Sequence, residues 1–144
     1  MKDFRVKKYQ IHTDKIQNPE GVRFVLLADL HGISYGRENV RLVETIRRLN
    51  PDAILSAGDM AVRTQPDTLV TACKLLKKLV HDFPVYYALG NHEYKMTLSG
   101  EYRGYYEKYE KMLKTAGVHI LRNTHEHAIF KGEHFCFWGL ELPI

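Results

Sequence analysis

Cysteine is scarce in this 144-residue chain, long apolar runs are missing, and charge of one sign never accumulates. The two cysteines, Cys73 and Cys136, are far apart and form no C-x-x-C pair. That excludes a disulfide framework and a four-cysteine zinc site, and makes a reduced setting the expectation. No apolar stretch approaches the roughly 20 residues a membrane helix needs, and the opening MKDFRVKKYQ lacks the apolar centre of a secretory signal. The expected location is cytoplasmic, at most peripheral to a membrane. Lys and Arg number 21 against 17 Asp and Glu, a net charge of +4. The positive charge is spread over three helices, so nucleic acid is not an expected partner. Repeats, low-complexity tracts, Gly/Ser linkers and N-x-Ser/Thr sequons are absent, so nothing marks an internal boundary.

What is present is a globular balance, 44% hydrophobic and 26% charged, with eight histidines as its one excess. Short apolar runs alternate with helical patterns. Phe4–Ile11 alternates as an edge strand would. Val22–Leu27, which opens the apolar run FVLLA (Phe24–Ala28), AILSA at Ala53–Ala57 and PVYYAL at Pro84–Leu89 read as strands buried on both faces. Between them Arg37–Leu49 reads as a helix with Val40, Leu42, Val43, Ile46 and Leu49 inward, stopped by Asn50-Pro51. Pro66–His81 reads as another, with Leu69, Cys73, Leu76 and Val80 inward and Lys74, Lys77 and Lys78 in solvent. Glu101–Ala116 is a third, carrying Tyr102, Tyr105, Tyr109 and Met112 at helical spacing and ended by Gly117. Val118–Leu121 is a fourth strand, and His127–Phe130 and Phe135–Trp138 form a hairpin around Lys131-Gly132-Glu133. The β-α-β-α-β-α-β order predicts an α/β domain with a mainly parallel sheet and every strand's C-terminal end on one rim.

Each buried strand ends in chemistry. Asp29-Leu30-His31-Gly32 follows the first, Gly58-Asp59 the second and Gly90-Asn91-His92-Glu93 the third. Ligands of open α/β sheets bind beyond these strand ends. Carboxylate, amide oxygen and imidazole suit Mn, Fe or Zn ions. Taken singly, Asp29 or Asp59 reads equally as a turn or capping residue, and Asn91-His92 as plain loop. Together they predict one crevice, framed by flexible loops at Gly32–Gly36 and Tyr94–Gly100. His125-Glu126-His127, with His134 across the hairpin, is a rival cluster: it could be a metal pair on one strand face, but with no carboxylate-bearing rim beside it, it reads as a solvated, partly paired strand surface. His12, His81 and His119 have no sequence partners.

The ordered trio D-x-H, G-D and G-N-H-E, over about Val22 to Leu142, resembles the calcineurin-like metallophosphoesterase superfamily. Gly117–Asn123 is similar to a segment of its bacterial, often membrane-associated branch. The resemblance implies a four-layer αββα sandwich and two divalent metal ions (Mn, Fe or Zn). It makes Asp29 and His31 ligands of the first metal, Asp59 the bridge, Asn91 a ligand of the second, and His92 the catalytic contact to the phosphate and leaving oxygen. Glu93 would orient His92. The implied reaction is hydrolysis of a phosphomono- or diester by a metal-activated hydroxide, on a small-molecule, lipid or nucleotide substrate.

That family carries two further ligand segments, a later lone His and a terminal G-H-x-H, and neither occurs in these 144 residues. The expectation is therefore the N-terminal portion of one metallophosphoesterase domain, holding one metal or none and impaired in catalysis. The alternative is a non-catalytic binding module that keeps the fold. Half of a sandwich would expose sheet edges, so homo-oligomers are expected as well.

Overall fold

Four short strands, β1 (Phe24–Leu27), β2 (Ala53–Ser56), β3 (Val85–Ala88) and β4 (His119–Leu121), pair in parallel in the order β1-β2-β3-β4. The computed structural model describes residues 3–142. Helix α1 (Val40–Leu49) links β1 to β2, α2 (Asp67–Asp82) links β2 to β3, and α3 (Asn91–Leu98) with α4 (Arg103–Ala116) links β3 to β4. A sequential order joined by right-handed crossovers puts all these helices on one face. The mainly parallel α/β architecture is the one the strand and helix alternation predicts.

On the helical face α2 is central. Its Leu69, Ala72, Cys73, Leu75, Leu76 and Leu79 are all buried, together with Val43 and Ile46 of α1 and Tyr106, Tyr109 and Leu113 of α4. Each such large side chain contributes on the order of 1.5–3 kcal/mol by leaving water. The opposite face is covered by an antiparallel ribbon of β5 (Thr124–Phe130) and β6 (Glu133–Gly139). The ribbon turns at Lys131 (φ 52°) and Gly132 (φ 83°), the positive-φ pair of a tight two-residue hairpin. Its Ala128, Phe130 and Phe137 pack on Phe24, Leu55 and Tyr86, with Phe24 edge-on to Phe130, Phe135 and Phe137 at 5.0–5.6 Å.

Several local expectations are corrected. Phe4–Ile11 forms no strand: among the described residues it has no ladder partner and is almost wholly exposed. Its basic side chains leave too little apolar surface to dock, and only Phe4 packs, edge-on to Tyr35. The Arg37–Leu49 helix is broken, because Glu38 (φ 51°) and Asn39 (φ 62°) are left-handed. The break rotates Val40 out into solvent and buries Asn39, which accepts from the Tyr35 amide. In α4 the inward face is Tyr106, Tyr109 and Leu113, while Tyr105 and Met112 are exposed. The segment 94–100, expected as a loop, is largely the helix α3. Leu26 is 68% exposed, since the ribbon covers β1 only at Phe24.

Candidate metal centre at the strand ends

The loops after β1 and β2 run side by side beyond the sheet. The amides of Asp29, His31 and Gly32 donate to the carbonyls of Gly58, Asp59 and Met60 at 3.1, 3.0 and 2.7 Å. This pairing holds Asp29 (φ 56°), His31 (φ 48°) and Asp59 (φ 51°) in left-handed backbone. Non-glycine residues adopt it at a cost of order 1 kcal/mol each. Strain gathered on three chemistry-bearing side chains is maintained by the surrounding contacts.

The third loop is pressed against the second. A Cβ on Gly58 would lie 1.8 Å from the Gly90 nitrogen, and one on Gly90 would lie 2.3 Å from both the Asp59 nitrogen and its Oδ1. Only glycine permits that approach. Gly90 also opens α3, whose first residues are Asn91, His92 and Glu93. The His92 amide donates to Asp59 Oδ1 at 2.8 Å, so the Asp59 carboxylate caps the helix from another loop, where its charge meets the positive end of the helix dipole.

Glu93 is fully buried. Its carboxylate accepts from the amides of Asp59 (2.8 Å), Ala61 (3.1 Å) and Gly90 (3.1 Å). It therefore fastens the second and third loops together and does not touch the His92 ring, which corrects the orienting role the family resemblance implied. His92 is held by backbone instead: the Arg63 amide donates to its Nδ1 at 2.9 Å. With Nδ1 accepting, the ring proton of the neutral imidazole sits on Nε2. Neither partner was legible in sequence. Glu at the third helical position is a capping signal, but a single Glu behind a glycine does not by itself mark a helix start.

The expected residues come together. Ligand atoms of His31, Asp59 and His92 lie within 4.8 Å of one another, and the two imidazoles meet edge-on with centroids 5.0 Å apart. Asp29, mostly exposed, places Oδ1 3.6 Å from His31 Nε2. The Asn91 amide faces the Asp59 carboxylate. Turned nitrogen-inward it would donate to both carboxylate oxygens, at 3.3 and 2.5 Å. Turned oxygen-inward, the two groups form a set of acceptors alone, which a cation between them would satisfy. Imidazole, carboxylate and amide oxygen converging in this way fit a divalent metal ion.

The calcineurin-like phosphoesterase family matches residues 22–142, and the chain belongs to it. A zebrafish (Danio rerio) transmembrane protein with a metallophosphoesterase domain is 30% identical over 137 residues, covering 93% of this chain and 29% of that protein. A Caenorhabditis elegans protein provisionally named a metallophosphoesterase is 31% identical over 151 residues, covering 92% of this chain and 29% of its own length. The crystal structure of phosphopantetheinyl hydrolase from Mycobacterium tuberculosis shares the fold with a TM-score of 0.55 at 21% identity, over 83% of this chain and 42% of that one. The chain thus spans less than a third of the two animal relatives. Among the described residues no helix is long and apolar enough to cross a membrane.

Proposed function

We propose that the rim built by Asp29, His31, Asp59, Asn91 and His92 binds divalent metal and a phosphoester, and that the protein hydrolyses phosphomono- or diesters. The observation that carries this is the convergence of His31, Asp59 and His92 within 4.8 Å on a fold whose family is metal-dependent phosphoesterases. Bound divalent ions would supply Lewis acidity toward the phosphate oxygens and the attacking water. Asp29, His31 and Asp59 would hold one ion, and Asp59 with Asn91 would serve a second.

The chain's own contribution is positioning and proton delivery. The Arg63 amide fixes the His92 tautomer, so Nε2–H is the donor offered to a phosphate or leaving-group oxygen. Asp59 keeps its carboxylate in place by accepting from the His92 amide. Glu93, by clamping three amides, keeps the two loops at fixed separation. These 144 residues lack the family's two later histidine segments, so we propose further that they hold an incomplete metal set and that turnover by them alone is impaired.

The test is Mn²⁺-supported hydrolysis of a chromogenic monoester and diester by the longest natural form of the protein. Asp59→Asn and His92→Ala should each lower kcat by about a hundredfold or more, the scale of a lost acid–base or charge-stabilising group. Wild-type turnover in both variants would refute the assignment. No turnover of either substrate, with little transition metal retained by the 144-residue chain after dialysis, would instead favour the non-catalytic binding-module reading.

A further inference from the structure

The β5–β6 ribbon has a second face, turned away from the main sheet. Its ladder sets His125 opposite Trp138, His127 opposite Cys136 and Ile129 opposite His134, and all six side chains are exposed. Three of them converge: ligand atoms of His125, His127 and Cys136 lie within 4.8 Å of one another. Bonds of about 2.0–2.3 Å to a tetrahedral ion would bring such atoms to roughly 3.5 Å apart. Exposed side chains on a fixed ladder reach that by small torsional changes. The His125 ring is already held, stacked on Trp138 with centroids 4.2 Å apart and planes at 25°.

Two imidazoles and a thiol form a softer donor set than the oxygen-rich rim, and it is the set preferred by zinc-class ions. In sequence His125-Glu126-His127 reads as a solvated face because no carboxylate-bearing rim accompanies it; the structure supplies Cys136 of the facing strand as a third donor. Glu126, the apparent third member, points the opposite way and engages His119 Nδ1 at 2.6 Å. We propose that His125, His127 and Cys136 hold one thiophilic divalent ion of the zinc class on the outer face of this ribbon, with a fourth position left open. Binding releases the Cys136 thiol proton to solvent and involves no redox change. The site shares no residue with the rim and does not depend on the phosphoesterase reading.

Cobalt(II) is the probe, added to the reduced full chain in a phosphine reductant. The expected result is a near-ultraviolet thiolate-to-cobalt charge-transfer band that saturates at one ion per chain and is displaced by Zn²⁺. Cys136→Ser should abolish the band, His127→Ala should weaken the binding at least about tenfold, and Asp59→Asn should leave it intact. The proposal is overturned if the reduced wild type shows no band at saturating cobalt. It is equally overturned if the band survives in Cys136→Ser, which assigns it to Cys73, or if His127→Ala changes nothing, which assigns it to a thiol alone.

Discussion

Adjacent residues at the start of α3 divide the labour of the rim. His92 faces the site and is set by an amide of another loop, while Glu93 turns inward and is fully buried. A buried carboxylate persists only where its charge is compensated, and here three amide N–H groups and the N-terminal end of α3 provide that. Oε2 serves both Asp59 and Gly90, and Oε1 serves Ala61. In Glu93→Gln the amide oxygen can keep the first two donors, but its NH₂ group then faces the Ala61 N–H. A buried donor left unmatched costs about 1–3 kcal/mol. The variant should lose that much stability, read as a lower urea midpoint with an unchanged slope. Unchanged stability would show that the clamp is not formed in solution.

At the scale of elements, the rim depends on close approach of backbone. Gly90→Ala has nowhere to put its methyl group, since the Asp59 nitrogen and Oδ1 lie 2.3 Å from it. Overpacking of this kind costs about 1–3 kcal/mol and occasionally more, and here it would also force the second loop from the third. Gly104, in the first turn of α4, has nothing within 4 Å of an added Cβ. Gly104→Ala should raise stability by about 0.5–1 kcal/mol. Thermal unfolding of the two variants should therefore move in opposite directions.

Asp82 joins α2 to α1. Hydrogen bonds from His81 and then Arg47, the latter at 2.7 Å, hold its carboxyl below the ordinary carboxylate value. A depressed folded value means that the contribution is complete above the unfolded value of roughly 3.9 and is lost as pH falls through the folded one. Unfolding curves of wild type and Asp82→Asn should thus differ near neutral pH and converge in acid. A gap that persists in acid would point to a cause other than charge.

These elements also show what sequence can carry. The three apolar strands and the glycine-flanked D-x-H, G-D and G-N-H-E ends were legible because burial on two faces and tight turns each restrict residue choice strongly. Helix α3 was not, because its capping signal is a single Glu behind a glycine. The phase of α4 is ambiguous in sequence because Tyr102, Tyr105 and Tyr109 and the pair Tyr106 and Tyr109 are both helical spacings, and the packing of Tyr109 on Tyr87 selects between them. The Arg63 amide on His92 comes from register between distant segments, which no local pattern encodes, whereas Cys136 opposite His127 follows from the register that the Lys131-Gly132 turn sets.

Across the whole molecule, the rim is the place where the loops after β1, β2 and β3 meet. Each loop leaves a different strand, so an ion held between them ties β1, β2 and β3 together at one end of the sheet. A ligand that binds only the native arrangement stabilises it by an amount set by its concentration relative to Kd, about 2.7 kcal/mol at a hundredfold excess over Kd. Manganese should accordingly raise the thermal midpoint of the wild type in proportion to the logarithm of its concentration. Asp59→Asn keeps an oxygen for the His92 amide and so should fold, but it removes the shared carboxylate, and its midpoint should not respond. Cys136→Ser should respond to manganese as wild type does, because a hard oxygen-seeking ion gains little from a thiol. If instead all three proteins shift alike, the manganese effect is not seated at the strand ends, and the rim does not hold the ion.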